Sequence, residues 1–261
     1  MPASLDQIVA ATRRRVSQDR RTADLRELER RAEQHVPRGF RKALERQSPA
    51  VIAELKKASP SRGLIRADFD PAGLAKELEA AGAAALSVLT DAEFFQGSLQ
   101  NLQLASSATN LPCLRKDFIL DEFQLLEARA NHADAVLLIV AALSQIELET
   151  LAKKARHNSL DVLCEVHDEK ELERATAAGC DLIGVNSRDL RTFTVDLQTA
   201  FRLADLMPKN TVSVAESGIQ NSEDIVSLRA AGYQAFLIGE SLMKASSPGD
   251  ALRTLLAKDR S

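Results

Sequence analysis

A rhythm that begins near residue 50 and repeats eight times places the strongest constraint on the fold. Each unit is a short apolar run rich in Val, Ile, Leu or Ala, followed by a loop and then by an amphipathic stretch. The apolar runs lie near residues 50–56, 84–89, 111–116, 134–140, 160–166, 181–186, 210–216 and 234–239. Strands that alternate with helices pair in parallel, and eight such units close a barrel. The sequence therefore predicts an α/β protein with a (β/α)8 TIM-barrel fold.

Capping residues mark several of the intervening helices. Predicted starts lie at Asp70, Ser144, Asp168 and Ser222, and predicted ends at Gly82, Gly179 and Gly232. The alternative fold is a doubly wound open sheet, which usually carries a G-x-G-x-x-G turn after an early strand, and this sequence has none. No linker divides residues 50–261, so we expect one barrel domain over 1–261. Within it, residues 1–47 form an N-terminal helical extension, in which apolar groups at helical spacing over residues 4–34 predict one or two helices.

Charge and composition exclude several classes of protein. The formal net charge of −3 and the pI of about 5.9 argue against a nucleic-acid or membrane-surface binder. Cys113, Cys164 and Cys180 form no C-x-x-C pair, so we expect separate apolar thiols in a reducing cytoplasm rather than a disulfide or a zinc site. The four histidines show no metal-ligand spacing, and no apolar run is long enough to span a bilayer.

The first strand, in VIAELKKASPSRG, contains two charges where a buried strand should be apolar. Side chains two apart on a strand point the same way, so Glu54 and Lys56 share a face. Burying two charges is costly unless they are paired or used. From these residues alone, a structural ion pair and a catalytic pair remain equally open.

Charged or amide groups also lie at the ends of four other predicted strands: Lys116, Glu165, Asn186 with Arg188, and Glu216 with Ser217. The active site of such a barrel lies at the C-terminal ends of its strands, where these side chains converge. A structural ion pair readily explains one charged residue at a strand end. It explains less well why five of the eight strands end in charged or amide groups. Lysines and glutamates together can hold one group protonated and another ionised, which suits acid-base chemistry on an anionic substrate.

The last two strands end in small residues. Ser217-Gly218 follows the seventh strand, and Gly239-Glu240 follows the eighth and opens a short helical stretch. Barrels commonly bind phosphate at these two units with backbone N–H groups and a helix N-terminus. Ordinary tight turns are the alternative for each pair alone. Both pairs together favour a phosphate site.

In combination, these segments resemble the indole-3-glycerol-phosphate synthase family. The similar segments occur in order: VIAELKKASPSRG, LSVLTDAEFFQGS, LPCLRKDFILDEFQ, ADAVLLIVAALS, LCEVHDEKEL, IGVNSRDLRTF, VAESGI and AFLIGESLM, spanning residues 51–243. The resemblance implies a cofactor-free carboxy-lyase of tryptophan biosynthesis. Its substrate would be 1-(2-carboxyphenylamino)-1-deoxy-D-ribulose 5-phosphate and its product indole-3-glycerol phosphate. As partners it implies only this small phosphorylated molecule, in a monomer or a weak homo-oligomer.

The resemblance also implies roles for individual residues. Lys116 would be the general acid of ring closure, Glu165 the proton acceptor and shuttle, and Lys56 the carboxylate-binding group or a second acid. Glu54, Asn186 and Glu216 would orient the lysines and the substrate hydroxyls, and Arg188 would lie near the carboxylate. The implied phosphate side is Ser59, Ser217, Gly218, Gly239 and Glu240, and the implied apolar wall is Phe94, Phe118 and Leu137.

The segment after the first strand is long for a βα loop, so we expect KASPSRGLIRADF to act as a lid that pivots at Gly63. Two other functions remain open on the residues. One is a phosphate-binding aldolase that forms a Schiff base at Lys56 or Lys116. The other is a ligand-binding barrel without activity.

Overall fold

The computed structural model describes residues 4–190 and 192–257, and its centre is a closed barrel of eight parallel strands. The strands are β1 Ala50–Leu55, β2 Ala85–Leu89, β3 Cys113–Lys116, β4 Ala135–Ile139, β5 Asp161–Val166, β6 Leu182–Asn186, β7 Val212–Glu216 and β8 Ala235–Ile238. Neighbours in the barrel are neighbours in the chain, and the seam pairs β1 with β8, Ala50 opposite Ala235. The predicted (β/α)8 fold is confirmed.

Helices surround the barrel and follow every strand. They are α1 Leu5–Thr22, α2 Leu25–Gln34, α3 Phe40–Arg46, α4 Pro71–Ala80, α5 Ala92–Phe95, α6 Leu99–Ser107, α7 Glu122–Ala130, α8 Gln145–His157, α9 Glu169–Ala177, α10 Gln198–Ala204, α11 Ser222–Ala230, α12 Glu240–Lys244 and α13 Pro248–Leu256. Asp70, Ser144 and Asp168 cap their helices as predicted, and α11 begins at Ser222 as predicted, with Asn221 as its cap. Each such cap satisfies a backbone N–H that would otherwise lack a partner.

The N-terminal extension contains three helices: α1 and α2 lie within residues 4–34, where one or two helices were predicted, and α3 was not predicted. Gly39 adopts a left-handed φ of +77°, and this turn separates α3 from the preceding segment. Phe40 and Leu44 of α3 are fully buried and belong to the same apolar cluster as the barrel interior. A helix of seven residues shows too few turns for its period to be read from sequence. Residues 1–3 of the predicted extension lie outside the described residues.

Two apolar cores hold the barrel together. One fills the barrel interior and contains Ile52, Leu114, Leu163 and Val214, and the other lies between the strands and the surrounding helices. Burying one such side chain stabilises the fold by about 1.5–3 kcal/mol. At the C-terminal ends of the strands the inward positions change from apolar to charged, so the floor of the mouth is apolar and its rim is polar.

The cysteines differ from expectation. Cys164 on β5 and Cys180, just before β6, form a disulfide with their Cα atoms 6.5 Å apart, whereas Cys113 is buried and free. The expectation of three separate thiols was therefore wrong for this pair. Helix α9 carries the chain back alongside β5, which brings together two cysteines that lie 16 residues apart. Along residues 4–190 and 192–257, no helix combines the length and apolarity needed to cross a membrane.

Candidate active site

A cavity of about 710 Å³ opens at the C-terminal mouth of the barrel. The residues predicted for the site that line it are Glu54, Lys56, Ser59, Lys116, Phe118, Leu137, Glu165, Asn186, Arg188, Glu216, Ser217, Gly218, Gly239 and Glu240. Phe94 is the exception. The cavity is large enough for a small phosphorylated substrate, and it combines an apolar wall with charged groups.

Lys116 lies between two glutamates at the centre of the mouth. Its Nζ is 3.0 Å from Glu165 Oε2 and 2.7 Å from Glu216 Oε2. The three side chains come from β3, β5 and β7, and alternate strands of such a barrel contribute to the same interior layer. Burial alone would lower the pKa of Lys116, but Glu165, Glu216 and Glu54 together raise it above its ordinary value. Lys116 is therefore a charged proton donor at neutral pH.

The two glutamates that share Lys116 have opposite pKa shifts. Burial pushes the pKa of Glu165 upward, but Lys116 and His167 outweigh it and bring the pKa down to about 2. Burial and the neighbouring Glu165 charge raise the pKa of Glu216 to about 7, against the lowering effect of Lys116. One ammonium cannot fully compensate two buried carboxylates, so one acid stays ionised while the other holds a proton more readily.

Glu54 and Lys56 form a second charged pair on β1. Lys56 Nζ donates to Glu54 Oε1 over 2.6 Å, and Glu54 is 4% exposed. Gly239 leaves room for this carboxylate, because a Cβ at that position would collide with Glu54 Oε1. The position of this pair therefore depends on Gly239, in the turn that follows β8, as well as on β1.

Asn186 and Arg188 lie on the same side of the mouth. The backbone N–H of Arg188 donates to Asn186 Oδ1 over 3.0 Å, and its guanidinium donates to the carbonyl of Phe193 over 3.1 Å. The guanidinium Nη2 also lies 3.6 Å from Glu240 Oε2. Arg188 therefore extends toward the end of the cavity that contains Glu240.

That end of the cavity has the features predicted for phosphate binding. Ser217 and Gly218 both have left-handed φ values, +64° and +85°, and Gly239 leads into helix α12. The Oγ of Ser241, in the first turn of α12, is buried without a hydrogen-bond partner. The turn therefore presents backbone N–H groups and a free hydroxyl at one place.

Three cations surround the carboxylate of Glu240 at this end. Lys244 Nζ is 2.5 Å and Arg62 Nε 3.2 Å from Oε1, in addition to the Arg188 contact. Sequence analysis did not select Ser241, Lys244 or Arg62 as site residues. The helical spacing from Glu240 to Lys244 was the signal that could have found the lysine, because residues four apart share a helix face.

The apolar wall contains Phe118 and Leu137 as expected, but Phe95 replaces Phe94. The rings of Phe95 and Phe118 are 6.4 Å apart, and Phe95 lines the cavity. Phe94 packs against the cluster of the barrel interior and is not among the lining residues. Consecutive residues of the single-turn helix α5 point about 100° apart, so only one of them can face the cavity.

Two acids on the wall were not predicted. Asp91 and Asp117 line the cavity, and both face Arg15 of α1, whose Nη2 is 3.7 Å and 3.3 Å from their carboxylates. The fully buried Arg115 also bonds Asp117, over 3.1 Å. The contact of Arg15 with Asp117 joins residues 102 apart in the chain, so no local pattern in the sequence could have indicated it.

The segment after β1 folds over this cavity as a small hairpin. Ala58–Ser59 pairs with Gly63–Leu64, and Ser59, Pro60, Ser61 and Arg62 line the cavity. Arg66 fixes the end of the segment, because its guanidinium donates to the carbonyls of Met243 and Ala245 over 3.3 and 3.0 Å. The hairpin therefore has one anchored end and a tip over the site.

The fold and the mouth define the class: a (β/α)8-barrel enzyme with its site at the C-terminal ends of the strands. The family model for indole-3-glycerol phosphate synthase matches residues 5–255, and the chain belongs to that family. The chain is thus a carboxy-lyase that acts on a small phosphorylated substrate.

Named relatives agree with the family assignment. An indole-3-glycerol phosphate synthase from Koribacter versatilis is 58% identical over 259 residues, covering 98% of this chain and 100% of the relative. One from Acinetobacter baumannii is 51% identical over 223 residues, covering 85% and 83%. Among solved structures, 3-hexulose-6-phosphate synthase has a TM-score of 0.63 at 13% identity over 80% of this chain and 98% of its own. This last likeness concerns the fold alone.

Proposed function

We propose that the protein closes the indole ring of 1-(2-carboxyphenylamino)-1-deoxy-D-ribulose 5-phosphate, with loss of carbon dioxide and water, through the residues of this mouth. The observation that supports it most is Lys116, charged and buried between Glu165 and Glu216. A buried ammonium beside an ionised carboxylate supplies the acid and the base of the reaction within one hydrogen-bonded group.

Lys116 is the proposed general acid of ring closure. The aromatic carbon that bears the carboxylate attacks the ketone of the sugar chain, and the ketone oxygen takes a proton from Nζ. Glu165 and Glu216 keep this proton available by holding the ammonium in place. After carbon dioxide has left, Glu165, which is ionised in the free enzyme, removes a proton from the carbon next to nitrogen. Lys56, as the second acid, gives a proton to the new hydroxyl, which leaves as water.

Lys56 is the proposed partner of the substrate carboxylate. It pairs with Glu54 in the free enzyme, so Glu54 keeps Nζ directed into the mouth. Breaking the bond to the carboxylate returns two electrons to the ring and releases carbon dioxide. The apolar wall of Phe118, Leu137 and Phe95 would hold the aromatic ring during this step.

The substrate phosphate would bind at the part of the cavity lined by Glu240, on the backbone N–H groups of Ser217, Gly218, Gly239 and Glu240, together with Ser59. Asn186 would bind a hydroxyl of the sugar chain. The resemblance implied a place for Arg188 near the carboxylate, but its guanidinium Nη2 lies 3.6 Å from Glu240 Oε2. We therefore assign Arg188 to the phosphate end of the substrate.

We further propose one working domain in the cytoplasm, as a monomer or a weak homo-oligomer, with no nucleic-acid or membrane partner. Contacts between the extension and the barrel support the single domain. Arg15 bonds Asp117, and Arg38 bonds the buried Asp134 over 2.5 Å. Removal of such buried partners leaves an uncompensated charge in the barrel.

One assay tests the proposed reaction directly. Indole fluorescence should appear when the purified protein meets the aminodeoxyribulose phosphate, and Glu165→Gln should slow it by about 10²–10⁴-fold. Surface variant Glu169→Gln, at the exposed start of α9, serves as the control with unchanged turnover. Wild-type turnover by Glu165→Gln would contradict the role of Glu165. Borohydride reduction in the presence of substrate distinguishes an aldolase, which would leave a covalent adduct on Lys56 or Lys116.

A further inference from the structure

His167 lies next to Glu165 and does not line the cavity. It follows β5 by one residue, and because side chains two apart share a face, its imidazole lies on the same side as the Glu165 carboxylate. Its Nε2 is 3.5 Å from Glu165 Oε1. His167 is not among the described residues that line the cavity, so it would act on the substrate through Glu165.

The imidazole is held at its other nitrogen. Nδ1 lies 3.0 Å from Glu171 Oε2, and the same oxygen accepts the backbone N–H of His167 over 2.8 Å. Nε2 is buried and makes no hydrogen bond. With one nitrogen fixed by Glu171 and the other facing Glu165, the ring has one orientation and one unused donor position.

The two oxygens of Glu165 therefore have different neighbours. Oε2 accepts from Lys116, and Oε1 faces His167. In the proposed reaction Lys116 gives its proton to the substrate and its hold on Glu165 weakens. His167 then remains as the charged neighbour of this carboxylate, beside the neutral side chain of Asn186.

We propose that protonated His167 is a positioning residue that keeps Glu165 ionised and directed while Lys116 acts on the substrate. This inference rests on the proposed role of Glu165 and adds a residue to it. No bond is made or broken at His167, and its contribution is the charge and the Nε2–H that face Oε1.

The charges around the imidazole favour its protonated form. Acids act on it from three elements: Glu165 from β5, Glu171 from α9 and Glu216 from β7. Burial opposes protonation, but these acids outweigh it and raise the pKa of His167 above its ordinary value. The protonated form therefore persists to higher pH than in a free imidazole, and it is lost as the pH rises through this raised pKa.

Kinetic variants test the positioning role. We expect His167→Gln to lower kcat by about 10–100-fold, the range seen when a group that orients a reacting ligand is removed, with KM changed less than about threefold. In wild type, kcat should fall as the pH rises through the His167 pKa. This descending limb of the pH profile should be missing in His167→Gln. Glu171→Gln keeps the imidazole but should shift the limb to lower pH. Glu173→Gln, an exposed acid on the same helix, is the matched control.

An NMR titration separates this inference from the proposed reaction. The His167 signal, assigned by its loss in His167→Gln, should titrate at lower pH in Glu165→Gln than in wild type. Equal titration in both proteins would overturn the inference, as would a His167→Gln enzyme with wild-type kcat and pH profile. An active Glu165→Gln would instead overturn the role of Glu165, and the titration would still report whether the two residues interact.

Discussion

Gly184 on β6 lies directly against the carboxylate of Glu216 on β7. A methyl group at Gly184 would collide with Glu216 Oε1, while the other oxygen of that carboxylate bonds Lys116. Gly184 therefore provides the space in which Glu216 turns toward the lysine. Glycine at this position serves close approach, not a left-handed turn.

Gly184→Ala should reduce turnover strongly. The added methyl displaces Glu216 and with it Lys116, and a misplacement of about 1 Å at reacting groups can cost about 10²-fold in rate. We expect kcat to fall by at least about that factor in the fluorescence assay.

The control for Gly184→Ala is its neighbour on the outer face of the same strand. Val185→Ala removes packing against the helices and should lower the free energy of unfolding by roughly 0.5–3 kcal/mol without a matching loss of kcat. If Gly184→Ala kept wild-type kcat, the space at Gly184 would have no part in placing Lys116.

Lys116→Met should abolish ring closure and also change how stability depends on pH. Without the ammonium, Glu165 and Glu216 face each other in a buried site, so the pKa of at least one of them rises. The folded variant then binds a proton that the unfolded chain releases, and its stability falls as the pH rises from 5 to 8, by up to about 1.4 kcal/mol per pH unit for one proton.

Urea unfolding at pH 5 and pH 8 measures this change. The exposed Lys154→Met, which loses a surface pair with Glu122, is the control and should follow wild type in both activity and pH dependence. A Lys116→Met enzyme with near-normal kcat would contradict the assignment of the acid.

Glu54→Gln should harm catalysis far more than folding. Gln has nearly the same shape and still fits against Gly239, but it removes the charge that holds the Lys56 ammonium. We expect kcat/KM to fall by more than about 10-fold, the order of one charge-assisted hydrogen bond. Thermal unfolding measured alongside should show a small shift, and Glu45→Gln, from the exposed pair with Arg41, should show neither effect. A loss of stability as large as the loss of activity would indicate a structural pair only.

The hairpin over the site should become protected when ligand binds. Residues 58–59 and 63–64 are joined by two residue pairs only, and Gly63 and Leu64 are exposed, so local opening costs little free energy. Hydrogen exchange of residues 57–67 should slow on addition of indole-3-glycerol phosphate, whereas α8 on the outer face should be unaffected. Unchanged exchange in 57–67 would exclude closure of this segment.

The sequence predicted the eight strands to within one or two residues, because their apolar runs and helix caps are local signals. It also located most of the mouth, since Glu54, Lys116 and Glu216 interrupt strands that should be apolar. Phe95, Gly184 and Arg15 were missed for a physical reason: each acts through a partner from a different part of the chain. The Cys164–Cys180 disulfide was missed for the same reason, because the fold brings its two cysteines together.

The seam between β1 and β8 has a consequence for how the protein is made. During synthesis β1 emerges from the ribosome before the other strands and β8 after them. The edge of β1 that contains Ala50 therefore cannot pair until Ala235 of β8 has emerged. Until then the nascent chain is an open sheet whose first strand offers free N–H and C=O groups to any other strand. Emergence of β8, the last of the eight strands, is therefore the event that lets this edge of β1 pair.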